Sequence, residues 1–169
     1  MPPSRRPGRL RHRGVAASGA ALAALTLAGC SGTPTIEEVD LSSSDRAACE
    51  ALVAALPDTL AGQDRVDVRP DGALGAAWGD PAYVLTCGVA EPSDYEPTAE
   101  CSVIKGVGWY VTDEQLRDPG GDATPIALSL RPYVEVRVPA DYRTEGIDRA
   151  LADLAPALRE HLGEGLSCL

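Results

Sequence analysis

The spacing of apolar residues divides the chain into a helix, a run of strands and a second helix. Cys49, Leu52, Val53 and Leu56 recur at helical spacing. Ser44-Asp45 can cap the first turn and Pro57 stops it, which predicts a helix from about Asp45 to Leu56. Arg65 to Arg69 alternates as a half-buried strand does, and Pro70-Asp71-Gly72 is a turn signal. Gly79-Asp80-Pro81 should break the chain before a strand over Ala82–Val89, in which Tyr83, Leu85, Cys87 and Val89 share a face. Ser102 to Thr112 predicts another strand, with Val103, Lys105, Val107, Trp109 and Val111 on one face. Ile104, Gly106, Gly108 and Tyr110 lie on the other. Thr124–Leu130 and Tyr133–Val138 predict two more, the last with Val134, Val136 and Val138 inward and Tyr133, Glu135 and Arg137 outward. Ile147, Leu151, Leu154, Leu158 and Leu162 set a terminal helix that Pro156 should kink and Gly163 should stop. Ala90–Glu100 and Asp113–Asp122 read as acidic loops. The expected fold is α+β: a mostly antiparallel sheet of four to five strands with an N-terminal and a C-terminal helix packed on it.

Charge changes the picture at the start of the chain. Arg5, Arg6, Arg9, Arg11 and Arg13 precede an uncharged stretch from Val15 to Leu27, and Leu27-Ala28-Gly29-Cys30 follows. A basic head, a short apolar stretch and small residues before a cut form a secretory signal. The cysteine directly after Leu-Ala-Gly resembles a bacterial lipobox, in which Cys30 is acylated, for instance by palmitate, and residues 1–29 are removed. Arg5-Arg6 is a poor twin-arginine signal, because Pro7-Gly8-Arg9 follow it. Residues 30–44 are then expected to be the lipidated cysteine and a flexible tether, reaching at most roughly 45–50 Å. Residues 45–169 are expected to form one disulfide-braced domain. The expected location is the outer face of the cell membrane, with the lipid on Cys30 as the membrane partner.

The 169 residues include 25 acids and 15 bases, for a formal charge of −10. Loss of the five leading arginines takes this to −15, which disfavours nucleic acid and anionic headgroups as partners. One lysine stands against 14 arginines, and Phe and Asn are absent, which points to a GC-rich bacterial genome.

Apart from Cys30 there are four cysteines, Cys49, Cys87, Cys101 and Cys168. Outside the cytoplasm these predict two disulfides. Three pairings are open. Cys87–Cys101 with Cys49–Cys168 is favoured here, because the first pair flanks one loop between two predicted strands. No Cys-x-x-Cys motif and no Cys/His cluster argues for redox or metal chemistry. Neither a metal nor another cofactor is expected.

Several stretches carry more than their composition. They are Ala76-Ala77-Trp78-Gly79-Asp80-Pro81, Cys87-Gly88-Val89, Cys101 followed by Gly106-Val107-Gly108-Trp109, and Pro132 to Pro139. In this order after a lipobox, they resemble a family of small lipoproteins of high-GC Gram-positive bacteria catalogued as a domain of unknown function (DUF3515). The resemblance covers about Cys49 to Tyr142. Thr86 stands where the resemblance leads one to expect arginine, and Leu130-Arg131 where it leads one to expect Gly-Arg. The resemblance implies no activity. Members are often encoded near the ligase that makes the D-alanyl-D-alanine dipeptide, an association with the envelope rather than a mechanism.

Candidate chemistry is thin. There is no Gly-x-Ser-x-Gly elbow, and the one histidine after Cys30, His161, is placed to meet a helix dipole. With 25 acids, no one carboxylate pair stands out for glycan cleavage, and neither acidic loop has calcium-loop spacing. Five of the seven aromatics, Trp78, Tyr83, Trp109, Tyr110 and Tyr133, fall in the strand region, where core packing is the ordinary role. A binding surface built from Trp78, Tyr110, Tyr133, Glu135 and Arg137 is the alternative expectation. The functional expectation is a lipid-anchored, non-enzymatic binding or adaptor domain for an envelope protein or cell-wall component. A wall hydrolase and a small-ligand or cation carrier are the alternatives.

Overall fold

The computed structural model describes residues 32–37, 39–96, 99, 101–144 and 147–167. The expected signal, Cys30 and Cys168 lie outside them. The chain forms α1 (Ser43–Ala55), β1 (Thr59–Leu60), β2 (Gln63–Val66), β3 (Gly75–Trp78), β4 (Tyr83–Cys87), β5 (Ser102–Ile104) and β6 (Val107–Tyr110). It continues with α2 (Asp113–Arg117), β7 (Ile126–Ala127), β8 (Leu130–Arg131), β9 (Val134–Arg137), α3 (Ala140–Arg143), α4 (Asp148–His161) and β10 (Gly163–Glu164). Eight strands make one sheet in the order β1-β2-β3-β4-β9-β7-β6-β5, and every pairing within it is antiparallel. The α+β expectation holds loosely, with more strands than the four or five expected.

The additional strands have local causes. The predicted strand Ser102–Thr112 is a hairpin, because Lys105 and Gly106 both take positive φ (50° and 82°) and turn the chain between Ile104 and Val107. Its sequel, the expected acidic loop, begins with α2, which Thr112 caps through its side chain to the Gln115 N–H. Thr124–Leu130 divides into β7 and the start of β8. β3 is enclosed on both sides, so Gly-Ala-Ala-Trp shows no alternation to reveal it.

One face of the sheet carries α1 and α4. Cys49 and Leu52 of α1 and Leu56 at its C-cap join Ala150, Leu151, Leu154, Ala155 and Leu158 of α4 over Ala76, Trp78, Leu85, Val134 and Val136. α4 runs unbroken through Pro156, whose side is exposed. After α4 the chain pairs as β10 with β8 in a separate two-stranded sheet, and Gly165 N–H and Leu166 N–H donate to Ser129 and Leu128 carbonyls.

The second face is covered by different means. Pro34 to Leu41, expected to be free tether, is a strap docked on the domain. Ile36 N–H donates to the Arg69 carbonyl at 2.7 Å and Arg69 N–H to the Pro34 carbonyl at 2.9 Å. Ile36 is buried with Ala73, Ala77 and Val84. The strap needs two glycines beneath it. A Cβ on Gly75 would stand 2.6 Å from Ile36 Cδ1 and 2.1 Å from the Leu85 carbonyl oxygen. One on Gly88, which takes φ +90°, would stand 2.6 Å from Leu41 Cδ1. The domain therefore begins ahead of Asp45.

The favoured cysteine pairing is overturned. Cys49 on α1 is bonded to Cys87 at the end of β4, because both side chains enter the same core from facing layers. Cys101 is also disulfide-bonded, to a partner outside the described residues. A non-reducing peptide map is expected to show Cys49 joined to Cys87 and, if Cys30 carries the lipid, Cys101 joined to Cys168. The Cys49–Cys87 link closes a separation of 38 residues. Its removal by paired serine substitution should lower stability by about 3–4 kcal/mol in a denaturant titration. Gly75→Ala should cost about 1–3 kcal/mol or more in the same assay, chiefly by pushing β3 away from the Leu85 carbonyl of β4 and also by displacing Ile36 of the strap.

Candidate functional site

Antiparallel register lines up the second face in rows. One row runs Gly75, Thr86, Glu135, Ile126, Tyr110, and the next runs Ala77, Val84, Arg137. The strap covers the β3 end of these rows through Ile36. The far end is covered by a cluster of Tyr110, Leu128 and Tyr133 with Tyr95, Ala99 and Leu166 packed on it. Between the two covers a trough of about 640 Å³ remains over β4 and β9. Val84 and Thr86 line its floor, Glu135 and Arg137 one side, Pro34, Thr35, Glu37 and Val39 the other, and Val89 and Ala90 one end.

Glu135 stands in the middle of its row, half-buried between Thr86 and Ile126. No hydrogen bond or ion pair reaches its carboxylate among the described residues. Burial pushes the Glu135 carboxyl above the ordinary glutamate value. Arg137, two residues on and on the same face, does not pair with it. Its guanidinium lies 3.6 Å from Asp122, close enough for an ion pair, and about half of the side chain stays exposed. The trough thus holds a desolvated carboxylate, a second exposed carboxylate on Glu37, a guanidinium and apolar walls.

The residues expected to form a binding surface separate in the fold. Glu135 and Arg137 line the trough. Trp78 offers no surface: it is fully buried, its Nε1 donates to the Pro57 carbonyl at 2.9 Å, and Arg65 lies over its ring at 5.9 Å. Tyr133 is 3% exposed. Its hydroxyl donates to Glu91 at 2.9 Å and accepts from Arg131 at 2.6 Å, and the Arg131 guanidinium stacks on its ring. Tyr110 is 8% exposed, packs edge-on against Tyr95 and borders a different depression. Tyr133 directly precedes β9 on the side of Glu135 and Arg137, as the alternation predicted, and Tyr110 ends β6 on the same face of the sheet. A loop and the chain end then cover them, which local periodicity does not reveal.

The match to known families comes from most of the chain. A family model described as "Protein of unknown function (DUF3515)" matches residues 15–165. The chain belongs to this family. Searches of curated proteins and of solved structures find no match to it. Within this family member, Thr86, the residue that stands in place of an expected arginine, is the direct register partner of Glu135. The departure from the expected pattern and the unpartnered carboxylate therefore meet at one point. At the other departure Leu130 stands in place of an expected glycine, while the expected arginine, Arg131, is present and stacks on Tyr133.

A larger depression of about 1050 Å³ lies around α2, with Asp94, Glu96, Asp113, Glu114, Asp118 and Asp122 on its rim. Arg117 pairs with Asp113, and Arg143 ties the segment down by donating to the Gln115, Asp118 and Gly121 carbonyls. Among the described residues no three His, Cys, Asp or Glu side chains converge as a metal site would require. Tyr110 next to it has its hydroxyl pushed upward by burial first and then by Asp94.

The position of Glu135 has a measurable consequence. A carboxyl whose value is raised on folding binds its proton more tightly in the folded chain than in the unfolded one. Its contribution is therefore most favourable when protonated, at low pH. It falls as pH climbs from the ordinary value of 4.5 through the raised one, and stays lower above that. Glu135→Gln removes this loss, while Glu37, Arg137 and Asp122 remain in place. Thermal melts should show the variant more stable than the parent at neutral pH, with the difference shrinking as pH falls below the ordinary glutamate value. An equal difference at every pH would contradict the desolvated state of the carboxyl.

Proposed function

We propose that the protein is a lipid-anchored, extracytoplasmic binding domain that presents the β4/β9 trough to an envelope ligand or partner. The trough carries this reading. It leaves the middle of a sheet face open between two covers, with a carboxylate and a guanidinium on one side, Val84 and Thr86 on its floor, and Val89 and Ala90 at one end. Small-molecule and peptide sites are concave and mostly apolar, with a few polar groups that fix orientation, and the trough has that composition.

The strap supports an arrangement close to the membrane. If Cys30 carries the lipid, only residues 31–33 separate it from the docked Pro34, so the link spans at most about 14 Å. The domain would stand at the headgroup layer instead of ranging across a long tether. The net acidity of the chain would keep its general surface from adhering to anionic lipid.

Two readouts in intact cells test the proposal. Cys30→Ser should move the protein from the membrane fraction to the soluble extracytoplasmic fraction. Crosslinking followed by mass spectrometry should recover a recurrent envelope species with the parent chain, and recovery should fall in Glu135→Gln and Arg137→Gln while both variants remain folded and anchored. Retention of Cys30→Ser in the membrane fraction would refute the lipid anchor. Equal recovery of the same species with both trough variants would refute the trough as the binding surface.

A further inference from the structure

The trough has a charge arrangement that selects among ligands. Glu135 and Arg137 occupy alternate positions of β9 on one face, so their backbones lie roughly 7 Å apart along the strand. Glu37 faces them from the strap side. Among the described residues the guanidinium of Arg137 is engaged by the 3.6 Å approach of Asp122, and a single such contact uses few of its five donors. Val84 on the floor, Val89 and Ala90 at the end, and Pro34 and Val39 on the strap supply apolar contact between and beside the charged groups.

Resting on the reading of the trough as a binding site, we propose that its ligand is a zwitterion: an ammonium group held by Glu135 and Glu37, and an anionic group held by Arg137, joined by a short apolar spacer. The half-buried carboxylate of Glu135 has lost part of its hydration and, among the described residues, has gained no donor. An ammonium brings three N–H donors and a compensating charge to such a site. A purely anionic ligand would meet two carboxylates, and a purely cationic one would leave unused the guanidinium donors that Asp122 does not engage. Arginine is suited to the anionic end, because its planar fork matches a carboxylate or phosphate in two parallel hydrogen bonds. A free amino-acid-like solute and an amine-bearing phospholipid headgroup share this chemistry.

The test uses the chain from residue 30 onward with Cys30→Ser, in solution, and three defined probes: γ-aminobutyrate, butylamine and butyrate. NMR titration is expected to show γ-aminobutyrate shifting the signals of Val84, Thr86, Glu135 and Arg137. Butylamine and butyrate should each bind at least about tenfold more weakly. The carboxyl carbon of Glu135 should titrate at lower pH with γ-aminobutyrate present, because the ammonium favours the ionised form. That readout needs no variant. Glu135→Gln and Arg137→Gln should each lower affinity by about tenfold or more, and Lys105→Gln, on the β5–β6 turn away from the trough, should leave it unchanged. Vesicles of phosphatidylethanolamine and of phosphatidylglycerol separate the sources. Retention on the first alone assigns a headgroup, and retention on neither, with γ-aminobutyrate still bound, assigns a soluble zwitterion; both support the ligand class. Binding of butyrate as tight as γ-aminobutyrate would overturn the ligand class while keeping the trough as a site. No binding of any probe up to about 10 mM would overturn the proposal, and the crosslinking result would stand or fall separately.

Discussion

A sheet with apolar residues on both faces must bury both, and the two long helices of this domain lie on one. Leu52, Leu154 and Leu158 close the first face as helices ordinarily do. The second face is closed piecemeal. Ile36 covers one end and the tyrosine cluster under Tyr95 and Leu166 covers the other. What neither piece reaches is the trough. The site is thus a remainder of the burial problem, and its residues are those whose neighbours in register were not covered.

This origin explains how much could be read in advance. The amphipathic pattern of α1 and α4 and the alternation of β4 and β9 were legible, because each repeats over several residues with one side in the core. The outward placement of Glu135 and Arg137 was legible for the same reason. β3 was not, because a strand enclosed on both faces carries no alternation. The hairpin at Lys105-Gly106 was hidden inside an apparently continuous strand, and its two-residue turn reverses the expected faces: Ile104 shares a face with Val107 and packs on the core, while Val103 pairs with Gly108 and is exposed. The cysteine pairing failed because proximity in sequence was used where layer packing decided the outcome. Cys49 and Cys87 face each other across the helix–sheet interface, and Cys101 lies under the opposite cover. The strap was the largest surprise. Pro34 to Leu41 is polar enough to read as a tether, yet Ile36 and Leu41 are two well-spaced anchors, and each sits on a glycine that only the folded sheet brings beneath it.

The burial of Trp78 and Tyr133 and the position of half-buried Glu135 in the trough share a lesson about aromatic-rich strands. Seven aromatics in a chain of this size are too few to spend on a surface when both faces of a sheet require filling. The polar atoms of Trp78 and Tyr133 are accordingly turned inward and satisfied by Pro57, Glu91 and Arg131. Trp109 is the counter-case, because among the described residues its buried Nε1 finds no acceptor.

The order of strands also governs how the domain can assemble in time. β1 to β4 form a run of neighbours joined by short turns, so their contacts close small loops. The joint between β4 and β9 instead brings together Cys87 and Val134, roughly 45 residues apart, and must wait for a much larger closure. The bond between Cys49 and Cys87 lies wholly within the earlier portion. An oxidising compartment can therefore lock α1 onto β4 while the later strands are still searching, so that the half bearing the strap is covalently committed before the half bearing Glu135 arrives.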